Sequence, residues 1–158
     1  MDQIDDAAFL SRIRLLLVDD EDRFRSTLSK RLAEKGIVAE AASNGVEALK
    51  VVKEKPVDII VLDIKMPEMD GIETLRHVKK LNPEIEVILL TGHANIESAV
   101  EGMRLGAHDY LMKPCDIEQL LEKIITAYNI RIAREKKEMK NGIQKKMDYW
   151  QKHWNRPS

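Results

Sequence analysis

Apolar residues follow two rhythms along the chain. Five short runs, Ile13–Val18, Ile37–Ala41, Val57–Ile64, Ile85–Leu90 and His108–Met112, have the length and apolar density of strands. Three stretches within them, at 15–18, 59–62 and 87–90, are uninterrupted, as expected of strands covered on both faces. Between the runs, apolar positions recur at spacings of three and four. They are Phe24, Leu28 and Leu32; Val46, Leu49 and Val52; Ile72, Leu75 and Val78; Ile96, Val100 and Met103; and Ile117, Leu121, Ile124 and Tyr128. Each set lines one face of a helix. The punctuation agrees. Gly36, Pro56, Asn82-Pro83 and Gly106 end helices, while Asn44, Asn95 and Asp116 read as helix caps. Asp22 reads as the cap of the first helix, and Asp58 as a turn or cap residue.

Five strand–helix pairs in strict alternation predict an α/β fold, a doubly wound (βα)5 parallel sheet with helices on both faces. Right-handed crossovers leave only a few strand orders. The apolar stripe does not end with the fifth helix. Ile132 continues it, and it resumes at Met139, Ile143, Met147, Trp150 and Trp154, so a C-terminal helical extension is expected, weakened at Asn141-Gly142. The chain therefore divides into an N-terminal extension (1–11), one α/β domain (12–128) and a basic amphipathic helical tail (129–158). Too little chain follows Tyr128 for an effector domain.

Composition narrows the function classes. Of 158 residues, 44% are hydrophobic and 34% charged, the balance of a globular domain rather than a disordered chain. A single cysteine leaves no disulfide framework within the chain and suits a reducing compartment. No run approaches the ~20 apolar residues of a membrane span, and with Asp2, Asp5 and Asp6 and no apolar run in residues 1–10, no signal peptide is expected there. A cytoplasmic location is expected. The formal net charge of −1 conceals an asymmetry: residues 131–158 hold nine basic and three acidic residues, a net +6, which leaves −7 on the remainder.

Chemistry in an open parallel sheet collects beyond the carboxyl ends of its strands. Here the first strand ends in Asp19-Asp20, the third in Asp63, the fourth in Thr91 and the fifth in Lys113. A lone aspartate at a strand end is ordinarily a turn or cap residue, but four of the five ends carry such groups. Three carboxylates brought together repel one another, and one lysine cannot balance them. A hard divalent cation with oxygen ligands would, and Mg²⁺ suits a shallow site that keeps some of its water. A phosphoryl group is the natural ligand of such a site: cations neutralise its oxygens, a hydroxyl donates to it, and a carboxylate can accept it as an aspartyl phosphate.

With these residues in place, the sequence resembles a response-regulator receiver domain, which accepts a phosphoryl group from a sensor histidine kinase. The resemblance rests on Leu-Leu-Val-Asp-Asp-Glu at 16–21, Asn-Gly-Val-Glu-Ala-Leu at 44–49, Val-Asp-Ile-Ile-Val-Leu-Asp-Ile-Lys-Met-Pro-Glu-Met-Asp-Gly at 57–71, Leu-Leu-Thr-Gly at 89–92 and Gly-Ala-His-Asp-Tyr-Leu-Met-Lys-Pro at 106–114. It covers about residues 12–128. It implies the flavodoxin-like strand order 2-1-3-4-5, with Asp63 as phosphoacceptor. Mg²⁺ would be held by Asp20, Asp63 and the backbone carbonyl of Lys65, with Asp19 acting nearby. Thr91 would bond a phosphoryl oxygen, Lys113 would pair with the phosphoryl group across a cis bond to Pro114, and Tyr110 would be the switch aromatic. Lys65 and His93 are the neighbours expected to influence the lifetime of the phosphoryl group.

The reading that follows is a phosphoacceptor that is not an enzyme on outside substrates. Its partners would be a histidine kinase or a phosphotransfer protein. Its output would be a downstream protein or self-association, through the surface of the fourth helix, fifth strand and fifth helix (His93, Ile96, Val100, Met103, Tyr110 and Ile117) and through the tail. The tail could also fold back on its own acidic body; nucleic acid and membrane rank last. Two alternatives stand beside this. One is a receiver fragment of a larger transcription activator or hybrid kinase. The other is a Mg²⁺-dependent phosphatase or phosphotransferase of the haloacid-dehalogenase kind, although those enzymes carry a second acid two residues after the nucleophile and position 65 is Lys.

Overall fold

The computed structural model describes the backbone of residues 3–154 and the side chains of residues 6–154 apart from His93. The order of elements is α1 (Gln3–Ser11), β1 (Leu15–Val18), α2 (Asp22–Glu34), β2 (Ala39–Ala42), α3 (Gly45–Glu54), β3 (Ile59–Asp63), α4 (Gly71–Leu81), β4 (Glu86–Thr91), a 3₁₀ turn (His93–Asn95), α5 (Ile96–Arg104), β5 (Asp109–Met112) and α6 (Ile117–Trp154). All strand pairs are parallel, in the order β2-β1-β3-β4-β5. The doubly wound α/β sheet with its C-terminal helical extension is thus the observed fold. The helices expected as fourth and fifth are α5 and α6, because a helix not expected from the sequence precedes the first strand.

The uninterrupted runs become strands with no exposed residue, and their side chains alternate between two cores. Leu16, Val18, Ile60, Leu62, Val87 and Leu89 face α3, α4 and α5. Leu15, Leu17, Ile59, Val61, Ile88 and Leu90 face α2 and α6. Truncating one of these leucines to alanine would cost about 2–5 kcal/mol. Polar–apolar alternation is lost on the edge strand β2, where Glu40 and Ala41 are exposed.

Several local readings hold and others need correction. Gly36 ends α2 at φ 102°, a left-handed conformation suited to glycine. Asn44 caps α3, accepting from the Glu47 N–H at 2.8 Å, and Asp116 accepts from the Glu118 N–H at 3.0 Å. Asp22 is not a cap. It is the first residue of α2, its carboxylate is taken by Arg25 at 2.7 Å, and the cap position falls to Glu21 without a side-chain bond. Asn95 does stand at the N-cap position of α5, but it closes the 3₁₀ turn and its side chain makes no capping bond. Asp58 is no turn residue either but the buried centre of an ion-pair cluster, described below. Only the start of the tail, through Arg134, lies on the body; among the described residues the rest does not fold back. α6 runs unbroken through Asn141-Gly142, and every described residue from 135 to 154 is exposed. The last four residues of the expected tail, 155–158, lie outside the described residues.

The N-terminal extension is the helix α1. Its Phe9 ring meets the Tyr128 ring edge-on, 5.4 Å between centroids, and Phe9 and Leu10 pack on the core that holds α2 and α6. Among the described residues no helix is long and apolar enough to cross a membrane.

Candidate functional site

Parallel register places the ends of β1, β3, β4 and β5 side by side. Val18 pairs with Leu62, Asp63 with Leu90 and Thr91 with Met112. The next residue of each chain then faces one edge of the sheet. Asp19 stays buried because its N–H continues the ladder to the Ala42 carbonyl (3.2 Å) while its Oδ1 accepts from the Glu21 N–H (2.8 Å). Asp20, turned outward, is exposed. Asp63 is 5% exposed. One carboxylate oxygen from each of Asp19, Asp20 and Asp63 lies within 4.8 Å of the others.

Lys113 follows β5 and is held by the Thr91 carbonyl through its own N–H (2.8 Å); its bond to Pro114 is cis, as the resemblance implied. Its Nζ donates to Asp19 Oδ2 at 2.7 Å and lies 3.4 Å from Asp63 Oδ1. The same ammonium sits 4.2 Å from the centroid of the Phe24 ring. Phe24 is a member of this site that the sequence reading treated only as a helix residue. The one available signal was its place a turn beyond Asp20, and a cation over an aromatic face is stabilised there.

The electrostatics follow from these contacts. Burial comes first in raising the Asp63 carboxyl, the Asp19 charge adds to it, and Lys113 opposes them only in part, so its pKa rises to about 6. Burial alone would lower Lys113, but its bond to Asp19 and the charge of Asp63 outweigh it and the ammonium is held above its ordinary value. The site carries more negative charge than its lysine balances. Three hard oxygen donors at this spacing, one of them open to solvent, fit a divalent cation.

Thr91 is 1% exposed, and its hydroxyl donates to the Gly92 carbonyl at 3.0 Å. Lys65 lines the cleft of about 710 Å³ over the carboxylates, together with Asp20, Asp63, Pro67, Gly92 and Lys113. Behind the cleft, Gly71 allows α4 to begin against the end of β3: a Cβ there would stand 2.3 Å from the Asp63 carbonyl oxygen. Tyr110 is not part of the cleft. It lies on β5, 36% exposed, beside a second cleft lined by His108, Met112 and Lys123. His93 opens the 3₁₀ turn, and its side chain lies outside the described residues. On the surface expected to switch, Val100 and Met103 of α5 are exposed with Tyr110, whereas Ile96 and Ile117 are half-buried.

A family model described as response regulator receiver domain matches residues 15–125. Regulatory protein AtoC of Escherichia coli (strain K12) is 38% identical over 138 residues, which are 87% of this chain and 30% of that protein. Transcriptional regulatory protein ZraR of Klebsiella oxytoca is 41% identical over 109 residues, 69% of this chain and 25% of that protein. The chain thus spans less than a third of the length of these relatives. Among solved structures, a response regulator receiver domain protein from Clostridium thermocellum superposes with a TM-score of 0.74 at 32% identity, covering 77% of this chain and 98% of that one. NtrX from Brucella abortus superposes with a TM-score of 0.75 at 29% identity, covering 79% of this chain and 29% of that one.

Proposed function

This chain belongs to the response regulator receiver domain family, and from that premise we propose that Asp63 is its phosphoacceptor, served by Asp19, Asp20, Thr91 and Lys113. The observation that carries the proposal is the reach of Lys113 Nζ to both Asp19 (2.7 Å) and Asp63 (3.4 Å), which draws three strand ends into one pocket. With a carboxyl pKa of about 6, Asp63 is mostly ionised at neutral pH and able to attack. Its Oδ forms the bond to phosphorus while the bond from phosphorus to the imidazole nitrogen of a donor phosphohistidine breaks. Lys113 meets the charge gathering on the phosphoryl oxygens. Asp20, Asp63 and the Lys65 carbonyl, with Asp19 nearby, would hold Mg²⁺, which when bound neutralises those same oxygens.

Thr91 supplies the switch. Its hydroxyl is committed to the Gly92 carbonyl, so donating to a phosphoryl oxygen means releasing that bond and moving the loop. Tyr110 on the neighbouring strand answers that movement, and the α5–β5–α6 surface changes with it. Lys65, which lines the cleft, and His93, two residues after Thr91, influence how long the phosphoryl group persists. The donor is a histidine kinase or phosphotransfer protein, and the setting is the cytoplasm.

Residues 12–128 are the receiver, and 129–158 connect it to its output, either another part of a larger regulator or a second copy paired through the tail. The transcriptional relatives and the share of their length that the chain spans favour the first. Turnover of an outside phosphate ester is not expected, since Lys65 stands where a general acid would be needed.

Incubation with a small phosphodonor and Mg²⁺ tests the assignment. The protein is expected to gain one acid-labile phosphate and Asp63→Asn none. Equal incorporation by the variant would remove Asp63 from its role.

A further inference from the structure

The strands that end in the phosphoryl pocket begin at a second cluster of charges. Arg14 lies five residues before Asp19, Asp58 five before Asp63, Glu86 five before Thr91 and His108 five before Lys113. Five strand residues span about 16 Å, so the two clusters occupy opposite ends of the same four strands.

The basal cluster is built around two buried carboxylates. Asp58, 2% exposed, accepts from the Arg14 backbone N–H (3.0 Å), from Arg14 Nε (3.2 Å) and Nη2 (3.1 Å), and from Arg131 Nε (2.9 Å). Arg131 also donates through Nη1 to the Glu84 carbonyl at 2.6 Å. Glu86, 5% exposed, pairs with Arg134 Nη2 at 3.0 Å, and Arg134 Nη1 meets Glu84 at 3.3 Å. Two of the three guanidinium groups in this cluster therefore come from α6. Arg131 and Arg134 stand one turn apart and flank Ile132, the last apolar residue of that helix packed on the body. Past them α6 is exposed.

A planar guanidinium that bonds a carboxylate and a carbonyl at once fixes the rotation of the helix that carries it, which a point contact would not. We propose that the Asp58–Arg131 and Glu84/Glu86–Arg134 contacts form a basal clasp that sets the direction and rotation of the tail helix on the body, independently of whether Asp63 is phosphorylated. The proposal gives the tail a defined bearing as the output connector and to that extent rests on the receiver reading. Without the clasp, half-buried Ile132 would be the only apolar hold on the helix beyond Tyr128 among the described residues, and residues 133–154 would have to stay helical with Gly142 in their middle and no packing on the body, a marginal state in water.

The test places spin labels at Val38→Cys and Lys145→Cys in a Cys115→Ser background, diluted with unlabelled protein so that only distances within one chain are read. A narrow distance distribution is expected for the parent, for Asp63→Asn and for the phosphorylated protein. Arg131→Met with Arg134→Gln should broaden it and speed amide exchange over residues 131–140 by about tenfold or more, while leaving phosphate incorporation intact. Arg134→Gln alone, at a half-exposed position, guards against a general folding defect and should show the same effect in smaller measure. Arg134→Lys, which keeps a positive charge against Glu84 and Glu86, should retain more of the narrow distribution than Arg134→Gln. An unchanged distribution and unchanged exchange in the double variant would overturn the clasp. A shift on phosphorylation as large as that on breaking the clasp would overturn its independence. If the parent took up no phosphate, the receiver reading would fall while the distance comparison among unphosphorylated variants still decided the clasp.

Discussion

Asp58 and Asp63 stand five residues apart on one stretch of chain, both nearly removed from water, and their carboxyls move in opposite directions. Burial would raise Asp58, but the bonds from Arg14 and then Arg131 more than offset it and hold it below the ordinary carboxylate range. At Asp63 burial is joined by the charges of Asp19 and Asp20, one lysine answers, and the carboxyl rises to about 6. One end of the sheet collects as many cations as its carboxylates require, and the other is left short. Identical side chains on the same strand are thus made into a fixed structural charge and a reactive one by the count of partners alone. The pocket's deficit is what a cation and a phosphoryl group come to fill.

Removing Asp58 should break the comparison most severely. Asp58→Ala leaves Arg131, itself 9% exposed, without its buried carboxylate, and a loss of about 3–5 kcal/mol in urea unfolding at neutral pH is expected. Little or no loss would show that the basal cluster is solvated rather than buried.

The opposite sign is expected at the other end. With the folded pKa of Asp63 near 6 and an unfolded value of about 3.9, ionisation of this residue works against folding, at about 1.4 kcal/mol per unit. The contribution of its protonated form is complete below the unfolded value and is lost as pH rises through 6. In chelator at pH 8, Asp63→Asn should therefore gain about 3 kcal/mol, and the gain should vanish by about pH 4. Asp58 has the reverse slope, because its stabilisation is present above its unfolded value and is lost as pH falls through its depressed folded one. Parallel pH profiles for the two sites would contradict the contrast.

The smallest effect sharpens the basal side. Arg134 and Glu84 are both more than a third exposed, so Arg134→Gln should change global stability by no more than about 1 kcal/mol, a difference for calorimetry to resolve. Its consequence should be local, in the exchange of the tail amides.

The contrast also marks what could be read from the chain. The five strands, their alternation with helices and the pocket residues announced themselves because each signal is local: an apolar run, a spacing of three and four, an acid or lysine where a run stops. Asp58 escaped because its partner Arg131 is 73 residues away, and nothing near Asp58 distinguishes a buried pair from a turn. α1 escaped because, among the described residues, its packing on the body rests on Phe9 and Leu10, which have meaning only against the core that holds Tyr128. Asp22 misled as a cap, since propensity does not foresee a competing Arg25, and Asn95 holds its cap position without a side-chain bond because it closes a 3₁₀ turn. Tyr110, expected as the switch aromatic, stands outside the phosphoryl cleft on β5, partly exposed on the surface expected to change.

The exposed part of α6 has a mechanical consequence. Residues 135–154 extend about 30 Å at 1.5 Å per residue, so they act as a lever whose fulcrum is the Arg131–Arg134 turn. A pivot of roughly 10° at that fulcrum sweeps the far end through about 5 Å, close to one helical pitch. Were the clasp to give by no more than a side-chain rotation at the base of the sheet, the change would be magnified at Trp150 and Trp154 into a displacement large enough to alter which surface those indoles reach.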